Sequence, residues 1–357
     1  MARWQRRKVE TPEVETFVRR TLPSVRRSQQ TTAAALLDGL LRTQRIGLAS
    51  IACGMRDDTS VKHRIKRAGR FCQNEGIPMR EVFEGLGKYM LARDRQNVIA
   101  LDWTDRGDYM LLKASLVFRN RSLPLLWRFV WKWQYEKSQN DEEERLLEDL
   151  IRVTGDREWV LLADRGFGRA DLFRWLDERG VRFVIRVSGG TFIRHLWFTG
   201  TIDNIPRRAG RGWMYKGVQY RKQSPVEVNL ACHHKEPAPA PWYLVTNLDV
   251  SSQKAAALYS KRMSIEEGIR DCKSGLGLKH LWLGGPERMD RAMILIALAV
   301  LLAALTAAKS IFKGEQLKLS NNKHRKTVLG FFVLGLRIIE QYPKRISIAR
   351  SYFHAVA

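Results

Sequence analysis

The amino-acid sequence predicts an α/β fold in which a mixed sheet is flanked by helices. Two apolar, strand-like runs, residues 97–101 and 159–163, are each followed directly by an aspartate. Three candidate strands in succession, at 97–101, 109–118 and 123–130, precede an alternation of helix and strand, which is typical of a mixed sheet. A further β-rich segment at 188–250 has Gly, Pro and Arg between its strands and interrupts this pattern, so we interpret it as an insertion.

The N-terminal part, residues 31–92, is predicted to be a cluster of short helices at 31–41, 46–53, 60–73 and 79–92. The third helix crowds five basic residues, Lys62, Arg64, Lys66, Arg67 and Arg70. Such a helix favours either a phosphate-binding face or a solvated basic surface, and both interpretations remain open. The short linkers resemble a helix-turn-helix-like module, which makes Arg64 and Arg67 candidate DNA contacts.

The remaining elements follow from periodicity and turn residues. Helices are predicted at 141–153, 170–178 and 252–273, and strands at 182–187, 191–198, 213–221, 226–232 and 242–246. The apolar stretch 292–308 is interrupted only by Thr306 and lies at the lower limit for spanning a bilayer. Its alanine content and its basic surroundings favour a buried core helix, so no membrane partner is expected.

The charge balance indicates a polyanionic partner. The chain of 357 residues has 62 Lys and Arg against 37 Asp and Glu, a formal charge of +25. Nucleic acid is the commonest such partner, because neutralising phosphates releases counterions. The hydrophobic content of 45% excludes an intrinsically disordered tail.

The four cysteines form no CxxC pair and indicate neither a disulfide framework nor a zinc site. The basic segment Met1 to Val9 is not followed by an apolar region, so a secretory signal is not expected. Both observations predict a cytoplasmic protein.

Two aspartates, Asp102 and Asp164, are predicted at the carboxyl edge of the sheet, where α/β active sites are found. A third acid comes from the predicted helix at 252–273. At about 100° per residue, Tyr259, Arg262, Glu266 and Lys273 fall within about 60° of one another and share one face. A solvated charged face is the usual alternative. That alternative is weakened here, because the two strand-end aspartates require a third acid to complete a site.

Each acid has a neighbouring rival in the sequence: Asp105, Asp171 and Glu267. Asp102 and Asp164 are preferred because they directly follow an apolar run, and Glu266 because Glu267 points about 100° away from it. Three carboxylates from separate elements suit two divalent cations about 3.5 to 4 Å apart. Mg²⁺ fits such oxygen ligands, with Mn²⁺ as a substitute.

The sequence resembles a known family at these residues. Tyr259, Arg262, Glu266 and Lys273 match the Y-(2)-R-(3)-E-(6)-K signature of bacterial cut-and-paste DDE transposases, the insertion-sequence-four family. The LDWT segment (101–104) and the LADRGF segment (162–167) resemble that family's first and second aspartate motifs. The resemblance covers about residues 95–310.

The resemblance implies an RNase H-like catalytic core that nicks a transposon end, forms a hairpin and joins the 3′ end to target DNA. It implies that Asp102 bridges two metal ions while Asp164 and Glu266 each complete one site. It further implies DNA contacts for Tyr259, Arg262, Lys273 and Trp242, of which Trp242 would stack on a flipped base. Arg165, directly after the second aspartate, is a further candidate for a backbone contact.

The predicted domains are an N-terminal helical DNA-binding domain (1–94), two parts of the core (95–187 and 251–312), the insertion (188–250) and a C-terminal basic region (313–357). The resemblance implies a homodimer with transposon-end and target DNA, in the nucleoid of a bacterial cytoplasm. Two other functions stay open: a DDE-type nuclease without strand transfer, and an inactive DNA-binding repressor.

Overall fold

The computed structural model describes residues 12–205, 212–234, 240–315 and 330–356. The helices are α1 (Pro12–Thr21), α2 (Arg27–Thr43), α3 (Leu48–Gly54), α4 (Val61–Gln73), α5 (Met79–Met90), α6 (Lys132–Thr154), α7 (Ala170–Glu178), α8 (Ser252–Ser260), α9 (Ser264–Arg270), α10 (Pro286–Phe312), α11 (Phe331–Gln341) and α12 (Arg350–Val356). The strands are β1 (Asn97–Arg106), β2 (Tyr109–Phe118), β3 (Arg121–Trp131), β4 (Trp159–Ala163), β5 (Arg182–Arg186), β6 (Phe192–His195), β7 (Phe198–Thr201), β8 (Trp213–Tyr220), β9 (Val226–His233) and β10 (Trp242–Thr246).

The strands form one mixed sheet in the order β3-β2-β1-β4-β5-β10-β9-β8-β6-β7. Strands β1, β4 and β5 are parallel to one another, and the other pairings described are antiparallel. The mixed α/β prediction is therefore confirmed at the level of a large mixed sheet with helices. The strands of the predicted insertion extend this sheet through β10, which pairs with β5.

Three sequence expectations differ from the structure. Strand β1 continues past Asp102 to Arg106, because it keeps pairing with β2 as far as the Arg106 and Tyr109 pair. The single strand predicted at 191–198 is a hairpin of β6 and β7. The helix predicted at 252–273 changes its winding: Lys261–Met263 is a 3₁₀ turn and Asp271–Gly275 a π-helical turn.

Helices cover both faces of the sheet. Helices α8 and α9 lie on the face that bears Asp102, where the side chains of Ala100, Leu162 and Val184 pack with those of α8. Helix α6 lies on the opposite face, where Trp103 reaches it, and α7 packs there through stacked Phe173 and Phe183. The sheet at Asp102 and Asp164 therefore lies between two helical layers.

The apolar helix α10 is part of the core. Its most apolar window is 94% buried inside the protein, as expected for the core helix that the sequence favoured. It packs against β3, α2, α4, α11 and α12, so the N-terminal helices and the sheet share one continuous hydrophobic core. The predicted domain boundaries stay predictions. The N-terminal Met1 to Val9 segment and residues 316–329 of the predicted basic C-terminal region lie outside the described residues.

Candidate active site

The strand register places Asp102 and Asp164 side by side. Leu101 pairs with Ala163, which pairs with Ile185, so the next residues, Asp102 and Asp164, both point to the other face of the sheet. The backbone of Asp164 is still extended, although β4 ends one residue earlier, and its Oδ1 accepts a hydrogen bond from the Gly166 amide at 2.9 Å. Two adjacent parallel strands thus deliver two carboxylates at one point of the carboxyl edge.

Glu266 joins these acids through an arginine. The Arg262 guanidinium lies 3.4 Å from Asp102 Oδ1 and 3.8 Å from Glu266 Oε1. The side chains of Asp102 and Arg262 are only 16% and 12% exposed, whereas that of Glu266 is 54% exposed. A cation is therefore held between the first and the third predicted acid, with Glu266 at the solvent side.

Electrostatics couple the three predicted acids. Burial raises the pKa of Asp102 to about 6, and the negative charges of Asp164 and Glu266 act in the same direction. The positive charges of Arg262 and Lys113 oppose that rise. The pKa of Asp102 thus depends on the charges of both other predicted acids and of two basic residues.

The three rival acids are each engaged elsewhere: Glu267 pairs with Arg121 at 2.5 Å and with Arg270 at 2.7 Å, Asp105 with Lys132, and Asp171 with Arg174 at 3.0 Å. None of these pairs includes Asp102, Asp164 or Glu266. The structure therefore distinguishes the three preferred acids from their neighbours by their partners as well as by their positions.

Tyr259 is buried beneath the site, with 3% of its surface exposed. Its ring lies edge-on to that of Trp242, with centroids 5.1 Å apart, and the Arg262 guanidinium is 5.9 Å from its centroid. Burial raises the pKa of the Tyr259 hydroxyl, which Arg262 counteracts. Tyr259 and the partly buried Trp242 therefore form a support under Arg262.

Lys273 lies in the π-helical turn and is partly buried. Burial and the neighbouring Arg106 lower the pKa of its ammonium group, while Asp105 and Asp102 raise it. The turn therefore brings Lys273 within electrostatic range of Asp102. Arg165, in the 3₁₀ turn after Asp164, is exposed.

Two basic residues that sequence reasoning missed flank the two predicted catalytic aspartates in the sheet. Across the sheet, the row reads Lys113, Asp102, Asp164, Arg186, because Lys113 pairs with Asp102 and Arg186 follows Ile185 in β5. The Lys113 side chain is 1% exposed, and its Nζ has no hydrogen-bond partner in the described part of the chain. Burial lowers its pKa, and Cys272, Asp102 and Asp271 oppose that change.

Arg186 is the other end of this row and is partly buried. Its charge lowers the pKa of Tyr259, so the guanidinium lies near the phenol. The sequence offered one usable signal for Arg186, its position at the end of a third parallel strand. Lys113 had no such signal, because it lies inside an apolar run on an antiparallel strand.

A buried acid, Glu143, joins the segments that follow the two aspartates. Its side chain is fully buried and accepts from Trp103 Nε1 at 2.8 Å and from Gln139 Nε2 at 2.9 Å. It also pairs with Arg169, five residues after Asp164. Trp103 directly follows Asp102, so one carboxylate on the opposite face links the middle of β1 to the loop after β4.

Arg64 and Arg67 both pair with Asp57, with Arg64 Nε 3.0 Å from Asp57 Oδ1. Arg64 also donates to the Met55 carbonyl at 2.7 Å. The two arginines thus attach the preceding loop to α4. The exposed basic residues of α4 are instead Lys62, Lys66 and Arg70, which are spaced four residues apart on one face.

The donor set suits hard divalent cations, since the three acids offer only carboxylate oxygens. The Arg262 guanidinium is a positive charge within 3.8 Å of a carboxylate oxygen of both Asp102 and Glu266. Over the ranges that the structure describes, no three His, Cys, Asp or Glu side chains converge closely enough to hold one ion.

Paired acids at the carboxyl edge of a mixed sheet offer oxygen ligands of the kind that metal-dependent phosphoryl transfer uses. The sequence model of the transposase DDE domain matches residues 97–302. The chain belongs to the transposase DDE domain family, which makes it a DNA transposase by family. DDE transposase domains use divalent metal ions, which agrees with the donor set found here.

Two further comparisons complete this picture. No curated protein matches the chain. Among solved structures, the chain is similar to a piggyBac transposase in a synaptic complex with hairpin DNA, at 11% identity and a TM-score of 0.44, covering 97% of this chain and 72% of that one. A similarity of this strength does not extend to the reaction or to the DNA contacts.

Proposed function

We propose that the protein catalyses cut-and-paste transposition of a bacterial insertion sequence of the insertion-sequence-four family, by two-metal-ion phosphoryl transfer. The observation that carries this proposal is the adjacent placement of Asp102 and Asp164, with Arg262 linking Asp102 to Glu266. The strand order β3-β2-β1-β4-β5 supports an RNase H-like core. The protein acts on the nucleoid of the bacterial cytoplasm, as a homodimer that holds transposon-end and target DNA.

Asp102, Asp164 and Glu266 would hold the divalent ions. Mg²⁺, or Mn²⁺ in its place, would supply activation of the attacking oxygen and stabilisation of the leaving oxygen. Arg262 leaves its acid partners and, with Lys273, holds the phosphates beside the cleaved bond. Tyr259 and Trp242 support Arg262 and the bent strand, and Arg165 contacts the backbone from the turn after Asp164.

The order of chemical steps follows from which oxygen attacks. Water attacks the phosphorus at the transposon end, the P–O3′ bond breaks, and a 3′ hydroxyl is released. That hydroxyl then attacks the opposite strand to form a hairpin, whose opening by water restores the 3′ hydroxyl. The final attack joins it to target DNA, with one phosphodiester bond formed for each one broken.

The test uses a duplex that carries the terminal sequence flanking the gene, with Mg²⁺, and separates products on denaturing gels. We expect nicked and hairpin-ended products, followed by joining of pre-nicked ends to plasmid DNA. Glu266→Gln should reduce nicking to less than about one thousandth while leaving DNA affinity unchanged, because it removes a metal ligand and no phosphate contact. The matched control Glu267→Gln should retain nicking.

The products separate the alternatives. Cleavage without joining would identify a nuclease, and end binding without any cleavage would identify an inactive repressor. Wild-type nicking by Glu266→Gln would refute the assignment of the third acid.

The N-terminal helices supply a second test of DNA binding. We propose that Lys62, Lys66 and Arg70 contact phosphates, since their side chains are exposed while Arg64 and Arg67 are paired with Asp57. Replacing all three by Ala should lower the slope of log affinity against log salt by about 1 for each phosphate that the side chains no longer neutralise. The Arg64→Ala/Arg67→Ala variant should mainly lower the melting temperature. An unchanged slope in the triple variant would place the DNA elsewhere.

A further inference from the structure

The β6–β7 hairpin ends in two exposed apolar residues. His195 pairs with Phe198, so the turn consists of Leu196 and Trp197 alone. Their exposed fractions are 91% and 86%, the largest among the described large hydrophobic side chains. Two-residue hairpin turns favour Asn-Gly or Gly, so turn geometry does not explain this Leu-Trp pair. Two adjacent exposed apolar side chains of this size indicate a contact with another molecule.

The hairpin turn lies at the same edge of the sheet as the predicted catalytic acids. Strand β5 runs toward that edge, and each of the next pairings, β5–β10, β10–β9, β9–β8 and β8–β6, is antiparallel. Strand β6 therefore runs in the same direction as β5 and ends at the edge that bears Asp164. Five strand spacings of about 4.8 Å separate β4 from β6, about 24 Å along the edge.

The other exposed tryptophans lie at this edge too. In the ranges that the structure describes, four tryptophans are exposed: Trp133 (69%), Trp197 (86%), Trp213 (37%) and Trp282 (62%). Trp133 is the second residue of α6, which begins where β3 ends. Trp282 donates to Asp108 in the β1–β2 turn, and Trp213 begins β8. All these positions are at the carboxyl edge of β1, since β3 is parallel to β1 and β8 antiparallel to it. Exposed indole rings thus mark one edge of the sheet.

Duplex DNA fits this edge better than a protein partner does. Two side chains bury about 400 Å² at most, well below the ~800 Å² per partner of a stable protein interface. The charge of the chain is +25, and next to the turn lies exposed Arg194. A groove of about 630 Å³ beside the turn is lined by His195, Tyr215, Lys216 and Asp249, among others, and Lys216 pairs with Asp249 at 2.6 Å. Aromatic and basic side chains together are typical of surfaces that receive bases and phosphates.

We propose that Leu196 and Trp197 form a distal DNA contact, which inserts at a base step of the transposon-end duplex about seven base pairs from the cleaved phosphate. The spacing follows from about 24 Å at about 3.4 Å per base pair. This inference rests on the proposed function for the identity of the DNA. The distal DNA contact holds and locally unstacks the duplex outside the active site.

The experiment measures DNA affinity in metal-free buffer, on a 24-base-pair end duplex and on a short duplex, a stem of about four base pairs closed by a loop, which ends before the proposed contact. The Leu196→Ser/Trp197→Ser variant should bind the long duplex about tenfold more weakly than wild type and the short duplex equally. Phe312→Ala is the control, because Phe312 is 58% exposed and packs near Tyr352. Phe312 is the last residue of the long helix α10. The other end of that helix lies beside the β1–β2 turn, where the Gly285 amide donates to Tyr109 Oη, so Phe312 is far from this edge of the sheet. Phe312→Ala should leave both affinities unchanged.

A second readout locates the contact. Duplexes with 2-aminopurine placed singly from four to ten base pairs from the cleavage site should brighten at one position with wild type and at none with the double variant. Equal affinities and equal fluorescence for the two proteins would overturn the inference. Loss of self-association without DNA in the double variant would overturn it too, by assigning the turn to a second copy of the chain. Nicking of the long duplex with Mg²⁺ by wild type tests the proposed function separately.

Discussion

The three predicted acids stand on two different kinds of structure. Asp102 and Asp164 extend from neighbouring strands whose register is fixed by backbone pairing. Glu266 lies on α9, within a helical segment that passes from α-helix to 3₁₀ turn, back to α-helix and into a π turn. The Asp102 side chain is 16% exposed, and that of Glu266 is 54% exposed.

This difference teaches where the site is rigid and where it depends on packing. Pairing with both neighbours leaves little freedom to β1, so its aspartate is in place before any ligand binds. Irregular turns often occur at functional sites and adjust the direction of the side chains beyond them. The position of Glu266 therefore depends on what holds α9 against the sheet.

Gly268 should be the most sensitive point of the helical part. A Cβ at this residue would overlap the carbonyl of Ser122 in β3, so only glycine allows α9 to approach the strand this closely. Gly268→Ala should displace α9 and lower nicking by about 100-fold, because displacements near 1 Å have effects of that size. Nicking kinetics at saturating DNA measure this. Gly190→Ala controls for the replacement of a glycine, because Gly190 is exposed and an added Cβ there would meet only Ser188 Oγ, at 3.9 Å.

If Gly268→Ala lowers stability while nicking per folded molecule is unchanged, the position of Glu266 does not depend on the packing of α9 against β3. Thermal unfolding of the same preparations distinguishes the two effects, since overpacking alone costs about 1–3 kcal/mol.

Glu143→Gln tests the strand part. The amide still accepts from Trp103, but Arg169 loses its buried counter-charge, which should cost about 3 kcal/mol of unfolding free energy. Urea unfolding measures this decrease. Glu144→Gln is the control, because the neighbouring acid is on another side of α6 and is partly exposed. Equal stabilities of the two variants would show that the strand ends do not depend on Glu143.

The pH dependence of metal binding separates the buried from the exposed acid. The pKa of Asp102 in the folded protein is about 6, above the 3.8 of the unfolded chain, so folding favours its neutral form. Without a bound metal, the protein should therefore lose stability as pH rises from about 4 to 6. A divalent ion needs the carboxylate, so Mn²⁺ affinity should rise about tenfold per pH unit up to pH 6 and level off above it.

Titration calorimetry with Mn²⁺ between pH 5 and 7.5 measures this profile. Asp105→Asn, which alters an exposed acid paired with Lys132, should keep the same profile. A flat profile across pH 6 would show that Asp102 is ionised without metal.

Local pattern was sufficient for several elements. The bounds of β2, β4, β10 and α7 agree with the sequence prediction, because alternation or helical periodicity and the flanking turn residues indicate the same limits. The 3₁₀ and π turns in the helix at 252–273 were not predicted, since residue spacing within one segment does not distinguish them from an α-helix. The hairpin at 192–201 was missed because Leu-Trp is not a recognisable turn sequence.

The sequence alone indicated a basic protein directed at DNA, and it predicted three separate acids with the signature residues near the third. These features are local in the chain, so composition and spacing reveal them. Only the tertiary structure decided that Lys113 and Arg186 flank the two aspartates and that Glu143 contacts Trp103 and Arg169 behind them. It also decided that Trp197 lies at the same edge of the sheet as the aspartates. Strand pairing between distant segments creates these neighbours, and periodicity within one segment carries no information about such pairing.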